Sequence, residues 1–159
     1  MYRIYSETII KTTQERCFNL SRSIDFHKAS MFESREIPIA GRLSGLIEQG
    51  EFVEWEATHL FVRQRLSSRI TEMVKPYYFV DEMVKGAFKS FRHRHEISNH
   101  KAGSVIMVDD FSYEVPFALA GHFANFLFLN MYMQRLLNIR AQRIKETLET
   151  DRWIEFINE

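Results

Sequence analysis

Alternation of apolar and polar positions opens the chain. Tyr2, Ile4, Ser6, Thr8 and Ile10 fall on one side and Arg3, Tyr5, Glu7 and Ile9 on the other, the period-two pattern of a strand with one face partly wet. Thr12-Thr13-Gln14-Glu15 has capping-box spacing, with Thr12 placed to accept from the third helical amide and Glu15 to reach back. It predicts a short helix to about Arg22. Ser23 to Met31 predicts a second short helix, capped at Ser23 or Asp25. Glu33 to Ile39 reads as an edge strand, because Pro38 removes a ladder donor. From Glu51 onward Val53, Trp55, Ala57, His59 and Phe61 share one face, opposite Phe52, Glu54, Glu56, Thr58 and Leu60. The first face is assigned to the interior. Arg65 to Lys75 and Tyr77 to Lys85 follow as strands, and Gly86 allows a bend. Phe88 to Ser98 sets Phe91, His93, His95 and Ile97 against Ser90, Arg92, Arg94 and Glu96, and Ser104 to Glu114 reads as the last strand.

The period then changes. Leu119, Phe123, Phe126, Met133, Leu137, Ile144 and Leu148 are separated by steps of three, four or seven, which makes one apolar stripe on a long helix. Phe128, Leu129 and Tyr132 lie off that stripe. They need a second apolar contact: another subunit, the two short helices, or a membrane surface. Val115 to Gln134 carries no Asp, Glu, Lys or Arg, close to the ~20 residues that span a bilayer. Pro116, Gly121, His122, Asn125, Asn130 and Gln134 interrupt it, so it reads as a buried or half-buried amphipathic helix and no transmembrane segment is expected.

Composition fits this picture of few, long elements, with only 6 Gly and 3 Pro among 159 residues. No repeat or linker divides the chain, so 1–159 is read as one domain. With 21 basic and 21 acidic residues the formal net charge is zero, which gives no general attraction to a polyanion. Arg63, Arg65, Arg69, Arg92 and Arg94 neighbour Glu54, Glu56, Glu72 and Glu96 on adjacent strands. Cross-strand ion pairing on a solvated face explains them, and nucleic acid is not an expected partner. The 14 Phe, 6 Tyr, 2 Trp and 7 Met side chains are enough to line a cavity as well as fill a core. A single cysteine, Cys17, and an opening segment without the apolar core of a signal peptide point to a reducing, cytoplasmic setting.

The order strand, two short helices, six strands, long C-terminal helix resembles the helix-grip fold of the START and pathogenesis-related allergen superfamily, the SRPBCC proteins. Within it, Val53-Glu54-Trp55-Glu56-Ala57, Ser68-Arg69-Ile70-Thr71-Glu72, Phe79-Val80-Asp81 through Gly86-Ala87-Phe88, His93-Arg94-His95 and Asp109 through Tyr113 and Pro116 resemble the bacterial ligand-binding group related to polyketide cyclase/dehydratase-like proteins. The resemblance covers nearly the whole chain. It implies an α+β fold in which a seven-stranded antiparallel sheet curves around the long helix, with an apolar cavity between them. Members carry lipids, sterols, hormones or polyketides, and some catalyse reactions, so the fold does not identify the ligand.

Within the expected cavity, His93 and His95 are the most chemical residues. At i and i+2 on one strand face they stand about 7 Å apart at the backbone, and His59, Asp81 and Asp109 share the interior phase. The plainer account makes each imidazole a structural group hydrogen-bonded to a carboxylate or carbonyl. Alternatives are orientation of a ligand's polar end, acid–base catalysis with Asp109 orienting an imidazole, and metal binding. Two histidines without a located third ligand fall short of a metal site, so neither metal nor cofactor is expected. Ligand contact is assigned to Trp55, Ala57, His59, Phe61, Phe79, Asp81, Met83, Phe91, His93, His95, Met107, Asp109, Phe126 and Met133. The expected function is binding or carriage of a small, mainly apolar molecule, with a cyclase or dehydratase-like enzyme using His93, His95 and Asp109 as the second reading. A homodimer or peripheral contact through the C-terminal helix is the accompanying partner expectation.

Overall fold

A computed structural model describes residues 1–59, 61–101, 103–115 and 123–157, with side chains of the last helix from residue 128 onward. Its strands are β1 (Tyr2–Ile10), β2 (Ile37–Gly41), β3 (Phe52–His59), β4 (Val62–Val74), β5 (Tyr78–Lys85), β6 (Ser90–Asn99) and β7 (Val105–Glu114). Helices α1 (Gln14–Ser21) and α2 (Ile24–Ser30) stand between β1 and β2, and the long α3 (Phe123–Leu148) follows β7. A short 3-10 turn, Asp151–Glu155, comes last. The strands form one antiparallel sheet in the order β1-β7-β6-β5-β4-β3-β2.

Local chemistry explains several element ends. The α1 cap is Thr13, whose hydroxyl accepts from the Arg16 amide at 3.3 Å. The expected cap at Thr12 is therefore displaced by one residue, and Thr12 Oγ1 is buried without a hydrogen bond. Ser23 caps α2 as predicted, accepting from the Phe26 amide at 3.2 Å. β2 is the sheet edge that Pro38 requires, but it begins at Ile37, because residues 31–35 turn and Arg35 adopts φ 53°. Gly41 ends the strand at φ 77°, where an added Cβ would lie 2.1 Å from the Phe52 carbonyl oxygen.

Strand alternation sorts the faces. Phe91, His93, His95 and Ile97 are buried along β6, while Val105, Met107, Asp109, Phe111 and Tyr113 are buried along β7. On the outer face Arg63 and Arg65 pair with Glu56, and Arg92 pairs with Glu72 at 3.2 Å. One apolar cluster joins Phe18, Ile24, Ile97, Ile144 and Leu148 beneath the short helices and the end of α3. A second joins Ile4, Phe91, Phe111, Tyr113 and Leu137. The helix is tied down by Tyr113 Oη donating to Asn130 at 3.1 Å, Arg140 donating to the Ser21 carbonyl at 2.7 Å, and Lys145 donating to the Ile9 carbonyl at 2.7 Å. Among the described residues no helix is long and apolar enough to cross a membrane.

Candidate functional site

Between the sheet and α3 lies a cavity of about 590 Å³, within the ~300–1,000 Å³ typical of small-molecule sites. Val53, Trp55 and Ala57 of β3, Leu66 and Ile70 of β4, Phe79 of β5, Phe91 of β6 and Phe111 of β7 form its sheet wall. Phe128, Leu129, Tyr132, Met133 and Leu137 of α3 face them. The off-stripe residues Phe128, Leu129 and Tyr132 thus meet the cavity.

Nine of the expected contact residues line this space: Trp55, Ala57, His59, Phe79, Asp81, Phe91, His93, His95 and Met133. Four do not. Phe61 is fully exposed: β3 stops at His59 and Phe61 sits in the reversing turn at φ 66°, so the alternation that pointed it inward has already ended. Met83 packs beside Leu66 in the second apolar cluster, at the irregular β4–β5 pairing. Met107 is sealed in the core, where Ser21 Oγ donates to its sulfur at 3.7 Å. Asp109 lies behind the histidines, at 2% exposure. The side chain of Phe126 falls outside the described residues.

The central polar cluster follows from strand register. Asp81 of β5 stands opposite His93 of β6, and His95 stands opposite Asp109 of β7. Four polar side chains therefore share one face of three adjacent strands. Asp109 Oδ1 lies 3.0 Å from His93 Nε2 and 2.9 Å from His95 Nδ1. On the other side Asp81 Oδ1 lies 3.1 Å from His95 Nε2 and 4.0 Å from His93 Nδ1. The imidazoles are 3.7 Å apart between centroids, and Phe79 stacks on His95 at 4.4 Å. Arg140 Nη1 approaches Asp109 at 3.7 Å.

These contacts set opposed protonation tendencies. Burial, reinforced by the neighbouring His95 charge, pushes His93 below its ordinary value despite the bond to Asp109. Burial also opposes charge on His95, but its contacts with Asp109 and Asp81 outweigh burial and hold it above its ordinary value. Burial raises both carboxyls, and it is overcome at Asp81 chiefly by His95 and at Asp109 by both histidines, so both stay below the usual range.

A second polar group occupies the β2–β3 side of the cavity. Glu36 accepts from Ser34 at 2.8 Å and meets His27 Nε2 at 2.6 Å. His59 Nδ1 lies 2.9 Å from Tyr132 Oη, and its Nε2 lies 3.9 Å from Glu36. The His27 ring packs on Trp55 at 4.3 Å between centroids. Of this group sequence reasoning singled out His59 as a polar ligand contact. Arg140 was missed although a signal existed: it falls three residues after Leu137 and four before Ile144, a cation on the apolar stripe. Glu36 carried no comparable signal, since its burial comes from an irregular turn.

The fold has solved counterparts. A START superfamily protein from Mycobacterium smegmatis superposes with a TM-score of 0.69 at 12% identity, covering 92% of this chain and 97% of that one. Major latex-like protein 151 from Panax ginseng gives a TM-score of 0.63 at 14% identity, over 94% and 98%. The protein TTHA0849 from Thermus thermophilus gives 0.69 at 15% identity, over 90% and 97%. No protein-family model and no curated protein sequence matches this chain. The chain shares the fold of these proteins, the helix-grip arrangement of a seven-stranded antiparallel sheet and a long C-terminal helix.

Proposed function

We propose that this protein binds and carries a small, mainly apolar molecule in the cavity between the sheet and α3. The observation that carries the reading is a roomy, aromatic-walled cavity that holds two groups of hydrogen-bonded polar side chains, His95 with Asp81 and His59 with Tyr132. Apolar walls supply affinity without direction, while a few fixed polar groups set orientation. Trp55, Phe79, Phe91 and Met133 are assigned the first task. His59, with Tyr132 beside it, and the His93–His95 pair are assigned the second.

Displacement of an environment-sensitive naphthalene sulfonate dye by long-chain alcohols and flat aromatic compounds tests this. Phe91→Ala and Trp55→Ala should each weaken dye binding about tenfold, the effect of ~1.4 kcal/mol of lost contact. Unchanged affinity in both folded variants would remove the pocket assignment.

One observation favours a second reading, an acid–base enzyme of cyclase or dehydratase type. His93 and His95 are adjacent, both line the cavity, and their environments push their protonation in opposite directions, the arrangement that separates a base from an acid. Asp109 is then a positioning residue, holding both rings without reaching the cavity. Turnover of a polyketide-like substrate that disappears in His93→Ala and His95→Ala while dye binding persists would distinguish the enzyme from the carrier.

A further inference from the structure

We propose that Asp81, His93 and His95 form a binding site for a divalent late first-row transition ion, best suited to Zn²⁺. The sequence offered Asp81 as one of several possible companions of the two histidines without locating it, and the β5–β6 register sets it directly across from His93. One ligand atom from each of the three residues lies within 4.8 Å of the other two. All three residues line the cavity.

The hydrogen-bonding pattern gives the site its direction. Asp109 Oδ1 hydrogen-bonds His93 Nε2 at 3.0 Å, the ring nitrogen that faces away from Asp81; it also lies 2.9 Å from His95 Nδ1, which makes no hydrogen bond, while His95 Nε2 is hydrogen-bonded to Asp81 Oδ1 at 3.1 Å. A carboxylate behind an imidazole fixes its tautomer, so that the opposite nitrogen presents a lone pair, as it does behind metal-bound histidines. With His93 donating from Nε2 to Asp109, its Nδ1 lone pair faces Asp81 Oδ1 at 4.0 Å. That is two acceptors confronting one another across a gap too wide for a hydrogen bond. A cation between them replaces repulsion with coordination. At His95 an ion replaces the Nε2–Asp81 hydrogen bond with coordination by both groups, and the ring proton moves to Nδ1, 2.9 Å from Asp109.

Charge and donor type select the ion. Asp81 and Asp109 bring two negative charges into the buried cluster and Arg140 one positive charge, so neutral imidazoles leave an excess of one negative charge. Two nitrogens and one oxygen suit zinc and its first-row neighbours better than magnesium or calcium, which prefer oxygen ligands. Zinc with three protein ligands retains an open position, and here it would face the cavity. An oxygen atom on an otherwise apolar occupant is the natural fourth ligand.

The test uses metal alone, so its outcome is read independently of the dye displacement above. Untagged protein is stripped with a chelator, freed of it, and titrated with Zn²⁺. One equivalent should bind, at least tenfold more tightly than in Asp81→Asn or His95→Ala. Asp109→Asn should lose roughly 10–100-fold in affinity through the outer nitrogens. His100→Ala, exposed beyond β6, should bind as wild type does. Because a buried substitution can unsettle the fold, X-ray absorption of wild-type protein carrying one equivalent of Zn²⁺ supplies a second reading, with two imidazoles and oxygen donors expected. Substoichiometric binding, equal affinity in Asp81→Asn, or fewer than two imidazoles around the ion would overturn the proposal.

Discussion

Burial pushes the Cys17 thiol up to about 12, and with no exposed surface it is a packing residue rather than a nucleophile, since the thiolate is the reactive form. Native protein should resist iodoacetamide at mildly alkaline pH, and labelling followed by mass spectrometry should detect reaction only once denaturant unfolds the chain. Glu36 is the more informative acid. Burial works to raise it, but the charge and hydrogen bond of His27 and the Ser34 hydroxyl hold it below the usual range. A carboxyl lowered by folding contributes stability above its unfolded value of ~4.3, and that contribution is lost as pH falls through the folded value. Glu36→Gln should therefore destabilise the protein near neutrality. Urea midpoints of the variant and wild type should converge as pH falls from the unfolded value through the lowered folded value of Glu36.

At the scale of elements, the turn from β2 toward β3 depends on Gly41. A methyl group there would meet the Phe52 carbonyl oxygen at 2.1 Å in a backbone conformation that L-residues rarely adopt. Gly41→Ala should cost about 1–3 kcal/mol, measured as a shift in urea midpoint at constant slope. The sequence made much of the fold legible, because element identity rests on local periodicity: β6 buries alternate residues as its pattern requires, and the apolar stripe of α3 is buried at Leu137, Ile144 and Leu148. Alternation also placed Asp81, His93, His95 and Asp109 on the interior face. What it could not supply was register, which decides that Asp81 meets His93 and that Asp109 lies behind both rings. Phe61 failed for a related reason, since nothing in a run of alternating residues marks where the chain leaves the strand. Arg140 escaped notice because the stripe was followed in a step of seven from Leu137 to Ile144, passing over the cation between them.

For the molecule as a whole, the cavity trades cohesion for capacity. Side chains around an unfilled space forgo dispersion contacts that a packed core would make. Ala57 is buried and lines this space on the central part of β3. Ala57→Leu should raise the thermal midpoint by a few degrees, the shift expected of about 1 kcal/mol in a chain of this size, while weakening dye binding. Calorimetry and the dye titration on the same sample would show whether stability and capacity move in opposite directions.

The place of β1 in the sheet governs the order in which the chain can assemble. Its partner is β7, with Tyr2 opposite Tyr113 and Ile10 opposite Val105, so β1 must wait for the strand of this sheet that is made last. At ~5–20 residues per second the ribosome takes roughly 5–20 s to make the intervening hundred or so residues. Throughout that interval Ile4 and Ile10, both buried in the finished protein, have no sheet to join. A nascent chain arrested before β7 should therefore remain protease-sensitive in β1 and recruit holding chaperones there, and emergence of β7 should abolish both.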